Sequence, residues 1–254
     1  MDNRVRDRRR AVNRERGRRR AGWFVVIAGV LIALGLFLWL RSSDVFAVKR
    51  VTATALEHVS TEEVSNATAD ARGASLLTLS VKEIEKRLLD LPYVRSAVLH
   101  RRFPNTLEVV LQEYEPVACV RATDGSRWLV GDDGRVLEKK NDSALPLLVP
   151  ESHLEIEAGE RLPPVVAKAL PVTGALAENG VAGALPEITK ITISQGGELT
   201  LLLGGPIELR LGDPSDLKQK LKVAATIVQQ YLRDGKPLQY VDARVPDRPA
   251  VKGK

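Results

Sequence analysis

The sequence predicts an α+β chain, with a single N-terminal transmembrane helix followed by two small domains of short strands and helices. Three observations carry that expectation. Trp23 to Leu40 is an uncharged run of 18 residues. Behind it come helix signals and alternating strands in the order β-α-α-β-β. Further on, three strands are joined by Gly-Gly turns and lead into a long amphipathic helix and a last strand, a mixed β-sheet domain with helices.

Ala21 and Gly22 extend the Trp23–Leu40 run to 20 residues, at the helical rise long enough to cross about 30 Å of hydrocarbon. Trp23 and Trp39 stand at its two ends, where indoles prefer the headgroup level. Residues 1–22 carry ten arginines against Asp2, Asp7 and Glu15, a net charge of +7. The positive-inside bias keeps such a tail in the cytoplasm. The whole chain is +6, so residues 23–254 sum to −1 and the basic balance belongs to the tail alone. A basic nucleic-acid-binding domain is therefore not indicated. The tail has too few apolar residues to fold by itself, and reads as a topology signal attracted to anionic lipid.

A cleaved signal peptide is the competing reading, because Val45-Phe46-Ala47 offers a spacing that a signal peptidase accepts. The apolar core of such a signal runs about 7–15 residues, shorter than this one, so the anchor is preferred. Gly22, Gly29 and Gly35 form no G-x-x-x-G pair, and helix dimerisation has no support. Cys119 is the single cysteine, so no intramolecular disulfide is possible. Aromatic residues are 4% of the chain, so the cores must be aliphatic.

The first domain is expected over residues 45–116. Val45 to Thr52 reads as a strand, with Phe46, Val48 and Val51 toward the core. Ser60 and Glu63 form a capping box, and the helix behind them runs to about Arg72, where Gly73 supplies a left-handed stop. A second box, Ser80 and Glu83, precedes Val81, Ile84, Leu88 and Leu91 at helical spacing. Two strands follow, Tyr93–Arg101 and Thr106–Glu113. In the second, Leu107, Val109 and Leu111 alternate with Glu108, Val110 and Gln112, as in a sheet covered on one face.

The second domain is expected over residues 117–246, with 247–254 as a C-terminal tail. Val117–Val120 and Ser126–Val130 read as strands, and Gly131-Asp132-Asp133-Gly134 as the tight turn before Arg135-Val136-Leu137. A helix is expected over Pro163–Glu178, kinked or divided by Pro171. Ile188–Ile193, Glu198–Leu203 and Ile207–Leu211 are three strands. Their glycine pairs open strands rather than helices, so they are hairpin turns and not a phosphate cradle. The helix from Asp213 to Leu232 takes Asp213 as N-cap and Pro214 at N1. Its stripe is Leu217, Leu221, Ala224, Val228 and Leu232, with Lys218, Lys220 and Lys222 expected in solvent. In the last strand, Val241, Ala243 and Val245 are expected on one face and Tyr240, Asp242 and Arg244 on the other. Pro246 and Pro249 cannot donate ladder hydrogen bonds, so the sheet is expected to end there with an open edge.

The wording of these segments resembles a known family. Leu91-Pro92-Tyr93-Val94, Ala97-Val98, Arg102-Phe103-Pro104-Asn105-Thr106-Leu107, then Glu113 and Pro116-Val117-Ala118, look like a POTRA domain of the kind found in the FtsQ/DivIB family of bacterial cell-division proteins. The Gly131-Asp132-Asp133-Gly134 hairpin is comparable to one that family has at this point. So is the block from Leu211-Gly212 to the Asp242-Ala243-Arg244 pattern. Two positions depart from the family pattern: Tyr114 stands where an arginine follows the glutamate, and Ala55-Leu56-Glu57 replaces a glycine after the first strand.

The resemblance implies a single-pass type II protein concentrated at the division septum, its C-terminal part outside the cytoplasm. The implied role is a divisome scaffold that binds the small coiled-coil proteins FtsB and FtsL and regulates septal peptidoglycan synthesis, with contact to the synthases themselves a further possibility. It also implies that FtsB adds a strand at the last sheet edge, which places the contact on Tyr240, Val241, Asp242, Ala243, Arg244 and Val245. Read from the residues alone, an edge strand with unpaired backbone groups is suited to the same use. A POTRA-bearing export or assembly protein is the alternative reading; it lacks support from any downstream barrel-like strand array.

Little in the sequence argues for catalysis. His58, His100 and His153 are isolated from one another, and no nucleophile elbow, P-loop or dinucleotide fingerprint occurs. Glu113 with Glu115, and Asp132 with Asp133, fall on a strand end and in a turn and read as solvated charge. Cys119 lies in an apolar strand and reads as a small core residue. No cofactor, metal or small-molecule substrate is expected, and the protein is read as a binder rather than an enzyme.

Overall fold

The computed structural model describes residues 23, 26–35, 39, 44–177, 181–205 and 207–253, without the side chains of 181 and 182. Residues 26–35 are helical with exposed side chains. No helix among the described residues is long and apolar enough to cross a membrane. The predicted span includes residues 24, 25, 36–38 and 40, which lie outside the described residues, as does the basic tail 1–22.

The described chain is mixed α+β and divides into two compact units. The first runs to Ala55 and adds Ser60–Leu88 and Ala97–Val110; the second comprises Leu56–Val59, Leu89–Ser96 and the chain from Leu111 onward.

In the first unit β1 (Arg50–Ala53) precedes α1 (Thr61–Ala67), a 3-10 turn (Ala69–Ala71) and α2 (Val81–Leu89). Strands β2 (Val94–Arg102) and β3 (Thr106–Glu113), which belong to this unit over Ala97–Val110, complete a three-stranded sheet of order β1-β3-β2, with β1 parallel to β3. The capping box is present: Glu63 N–H donates to Ser60 Oγ at 3.2 Å, and Ser60 N–H donates to Glu63 Oε2 at 2.8 Å. Two orphan donors of the helix start are thereby satisfied. Gly73 takes φ +80, the left-handed stop that its position predicts. The first strand is shorter than expected. It opens at Arg50, because Ala47 instead forms an antiparallel bridge with Ser75. Val48 is still buried, with Leu76, Ile84, Leu88, Leu107 and Val109.

The second unit is built on a nine-stranded mixed sheet. Its strands are β4 (Pro116–Arg121), β5 (Arg127–Gly131), β6 (Val136–Lys139), β7 (Leu147–Pro150), β8 (Ile188–Ile193), β9 (Leu199–Leu203), β10 (Ile207–Gly212), β11 (Tyr240–Asp242) and β12 (Ala250–Lys252). Their spatial order is β12-β11-β10-β9-β8-β7-β4-β5-β6. Helices α3 (Pro164–Ala167), α4 (Pro171–Ala177), α5 (Val181–Ala184) and α6 (Leu217–Arg233) accompany it. Pro171 divides the predicted helix and opens α4, where its missing N–H costs no intrahelical bond. One aliphatic core joins the sheet and the helices, with Val120, Val130, Leu148, Ile191, Leu201, Leu209 and Val241 against Leu170, Leu176, Leu221, Ala224 and Val228.

Three expectations about α6 are corrected. Leu232, expected on the apolar stripe, is 52% exposed. Asp213 does not cap the helix; its Oδ1 accepts from Ser215 N–H at 2.9 Å, and the helix starts at Leu217 after Asp216 in the left-handed region. Lys220 is not in solvent: it is 2% exposed, and its Nζ donates to the Asp213 carbonyl at 2.9 Å. The four-carbon stem packs with the apolar stripe while the ammonium reaches back to the loop before the helix. Helical spacing places a residue on a face but does not say how far a long side chain bends.

Candidate partner-binding edge

The C-terminal end of the large sheet is set by β10, β11, β12 and α6. Strand β11 pairs parallel with β10, Glu208 opposite Tyr240, Leu209 opposite Val241 and Arg210 opposite Asp242. Helix α6 makes the crossover between them that a parallel pair requires. Val241 and Ala243 are fully buried in the core, as alternation predicts. Tyr240 and Asp242 face the other way and are half-buried. There the Arg210 guanidinium lies 4.3 Å from the centre of the Tyr240 ring, and its Nη2 meets Glu208 Oε2 at 3.0 Å.

Arg244 and Asp242 form a forked ion pair, Nε to Oδ1 at 3.0 Å and Nη2 to Oδ2 at 2.7 Å. The Arg244 amide also donates to Asp242 Oδ1 at 3.1 Å. These bonds from Arg244 hold the Asp242 carboxyl below its usual pKa range against the opposing effect of burial. The same pair pushes the guanidinium pKa of Arg244 up.

The predicted strand over Tyr240–Val245 is longer than the observed one. It stops at Asp242, after which Ala243 N–H still donates to the Arg210 carbonyl at 2.9 Å. Val245 is 57% exposed and does not share the core face with Val241 and Ala243. The predicted open edge is also corrected. Pro246 and Pro249 do not end the sheet; they lie in the turn that reverses the chain into β12. Strand β12 then covers the free side of β11, Tyr240 opposite Lys252, Val241 opposite Val251 and Asp242 opposite Ala250. Gln219 Nε2 meets Asp247 Oδ1 at 3.4 Å and links α6 to that turn.

The outermost strand is therefore β12, three exposed residues that sequence reading assigned to a tail. Its signal is faint: one Val between an alanine and a lysine, after a Pro-Asp-Arg-Pro stretch that reads as a terminator. Because the Lys252 carbonyl accepts from Gln239 N–H at 2.9 Å, the backbone groups of Lys252 point inward. Those of Val251, one residue along, point to the unpaired side. The arrangement can accept a further strand through its main chain, with Lys252, Arg248 and Arg244 supplying positive charge nearby.

Most of the residues weighed for chemistry have structural partners. Glu113 accepts from the amides of Glu57, His58 and Val59 at 2.9, 2.9 and 2.8 Å. Burial raises its pKa, but those three donors outweigh it and the net shift is downward. Asp133 is likewise lowered, burial being overcome by Tyr114 Oη at 2.9 Å, the Arg135 amide at 3.0 Å and Arg161 Nη2 at 2.8 Å. Tyr114 is buried, with the Arg95 guanidinium 5.4 Å from its ring centre. Arg95 also pairs with Asp132 at 3.1 Å. His58 stacks on Tyr93 with ring centres 4.6 Å apart, and His153 pairs with Glu155 at 3.1 Å. Cys119 is buried, which pushes its thiol pKa up. Among the described residues no cluster of His, Cys, Asp or Glu could hold a metal ion.

Comparison with known proteins agrees with this architecture. Residues 46–114 match the model of the FtsQ-type POTRA domain, and residues 118–244 match that of the C-terminal region of the cell-division protein FtsQ/DivIB. The cell-division protein FtsQ of Mycolicibacterium smegmatis is 26% identical over 240 residues, covering 94% of this chain and 67% of that protein. FtsQ of Neisseria gonorrhoeae is 28% identical over 131 residues, about half of each chain (51% and 52%). FtsQ of Geobacter sp. strain M21 is 24% identical over 221 residues, 85% of this chain and 80% of its own. With both family models matched in order over most of its length, the chain belongs to the FtsQ/DivIB family of bacterial cell-division proteins.

Proposed function

We propose that this chain is a non-enzymatic, single-span scaffold of the division machinery that recruits an FtsB-type partner by strand addition at β12, together with FtsL. It sits in the cell membrane at the septum, N-terminus in the cytoplasm, and bears on septal peptidoglycan synthesis through those partners. Membership of a cell-division family supports the process, and the uncharged Trp23–Leu40 run behind a +7 tail supports the topology. The observation that carries the binding mode is the exposed three-residue strand β12 at the end of the sheet, with the Val251 main chain turned outward. Strand addition draws affinity from such groups and specificity from the side chains beside them. The surface proposed for the partner is thus Tyr240 to Val245 as a platform, with β12 as the strand it meets. Anchoring partner and scaffold in one membrane raises their effective concentration at this edge.

The test uses the full chain and purified FtsB. Val251→Pro removes an outward donor while leaving the inward bonds of Ala250 and Lys252 in place. Arg244→Glu reverses the charge beside the edge. Loss of about tenfold in affinity for the proline variant is expected, the scale of one or two backbone hydrogen bonds. Unchanged affinity for both variants would remove the edge from consideration.

A further inference from the structure

We propose that the tip of the β2–β3 hairpin rests on the anionic lipid surface, with Arg101 and Arg102 at headgroup phosphates and Phe103 at headgroup level. The proposal rests on the reading of Trp23–Leu40 as the membrane span.

Position is the first argument. Leu40 and Phe46 are six residues apart, so an extended chain puts Phe46 no more than about 20 Å from the end of the span. The structure ties the hairpin tip to that point. The Phe46 carbonyl accepts from Leu76 N–H at 2.8 Å, and its ring meets Phe103 edge-on with centres 6.1 Å apart. The amides of Lys49 and Arg50 both donate to the Asn105 carbonyl, at 2.9 and 3.3 Å. The turn between β2 and β3 is thus held beside Phe46, Lys49 and Arg50, six to ten residues after Leu40.

Chemistry is the second. Phe103 is 58% exposed and Val45 is 55% exposed, with no core role for either. Arg101, Arg102, Lys49, Arg50 and Lys82 are exposed around them. The acidic groups in the same region are Asp44, Glu85 and Glu108, of which Glu108 is paired with Arg102 at 2.9 Å. Arg101 uses Nη2 on the Leu79 carbonyl at 2.9 Å. The balance stays positive. An exposed aromatic ring among arginines is the chemistry of a membrane interface. The attraction decays over roughly 8 Å at physiological salt, so it acts only on groups held near the surface, which the short tether does. An acidic protein could use the same arginines, but the tether favours the lipid.

The experiment compares two single-tryptophan forms of the full chain in vesicles that contain brominated phosphatidylcholine, with and without phosphatidylglycerol. One form keeps Trp39 alone; the other replaces Trp23, Trp39 and Trp128 by phenylalanine and carries Phe103→Trp. Quenching of Trp39 in both lipids is expected from the span, and its absence would overturn the anchor reading itself. The tip reporter should be quenched more strongly with phosphatidylglycerol. Arg101→Gln and Arg102→Gln should each lower the lipid-bound population roughly fivefold, the weight of one basic group near such a surface. Circular dichroism of each form confirms the fold. If Trp39 is quenched while the tip stays dark to bromine in both lipids, the patch faces a protein or solvent and the proposal falls. Equal quenching in both lipids, unmoved by the arginine variants, also overturns it, since mere closeness then accounts for the signal.

Discussion

Arg244 lies across Gly212, so that a Cβ on the glycine would come within 2.8 Å of the arginine Cγ and 3.2 Å of its Cδ. Gly212 closes β10 with φ +66, and Arg244 closes the forked pair with Asp242. The bare backbone of one residue is what lets the other lie flat at the sheet edge.

Gly212→Ala should therefore fail twice, through the left-handed backbone and through the contact. The backbone alone costs about 1–2 kcal/mol. Urea unfolding should show at least that loss, and the variant should bind a strand partner more weakly because Arg244 is displaced. A stability unchanged from the parent would mean that the arginine simply swings aside and the strand end relaxes.

Acid should weaken the second unit through Glu113 and Asp242. Both carboxyls have lowered pKa values in the fold, Glu113 because three backbone donors outweigh burial and Asp242 because Arg244 binds it. A lowered folded pKa gives stability that is fully present above the unfolded value, about 4.3 for glutamate and 3.9 for aspartate. That stability is lost as pH falls through the lower folded values. The urea midpoint should drop from neutral pH toward about pH 3, and Glu113→Gln should flatten that drop.

Tyr114→Phe removes the phenol that donates to Asp133 at 2.9 Å while leaving Arg161 in place. A cost of about 1 kcal/mol is expected. The more specific readout is the Asp133 carboxyl, whose pKa should rise toward the ordinary range in a carbonyl-detected NMR titration. No movement would show that the Arg135 amide and Arg161 set it without the phenol.

Lys220 separates stem from charge. Lys220→Met keeps the buried length and loses the bond to the Asp213 carbonyl, which lies in an exposed residue. Lys220→Ala also empties the space that the stem fills. The alanine variant should cost about 2–3 kcal/mol and the methionine variant under about 1. A reversed order would make the ammonium, rather than the packing, the dominant contribution.

Much of this was legible in the sequence because local rules and tertiary outcome agreed. The Ser60–Glu63 box, the Gly73 stop, the Thr106–Glu113 alternation and the Pro171 break all depend on neighbours a few residues away. What was missed depends on distant partners. Strand β7 is four residues held between β4 and β8, with no alternation long enough to see. Strand β12 exists because β11 offers it an edge. Glu113 looked like solvated charge, yet it collects amides some 55 residues earlier in the chain. For the partner edge, alternation placed Val241 and Ala243 in the core correctly, and failed at Val245 where the chain had already begun to turn.

The strand order has a mechanical consequence. Strands β6 and β12 stand at opposite ends of the large sheet, separated by eight inter-strand steps. At about 4.8 Å per step that is roughly 38 Å of hydrogen-bonded backbone. Substitutions at the two ends share no side-chain partner over such a distance, so their effects on stability should simply add. A lesion near β6 and a lesion near β12 are thus separable by genetics: double variants should behave as the product of the singles. Any departure from that product would mark the sheet as a conductor of strain rather than a passive spacer.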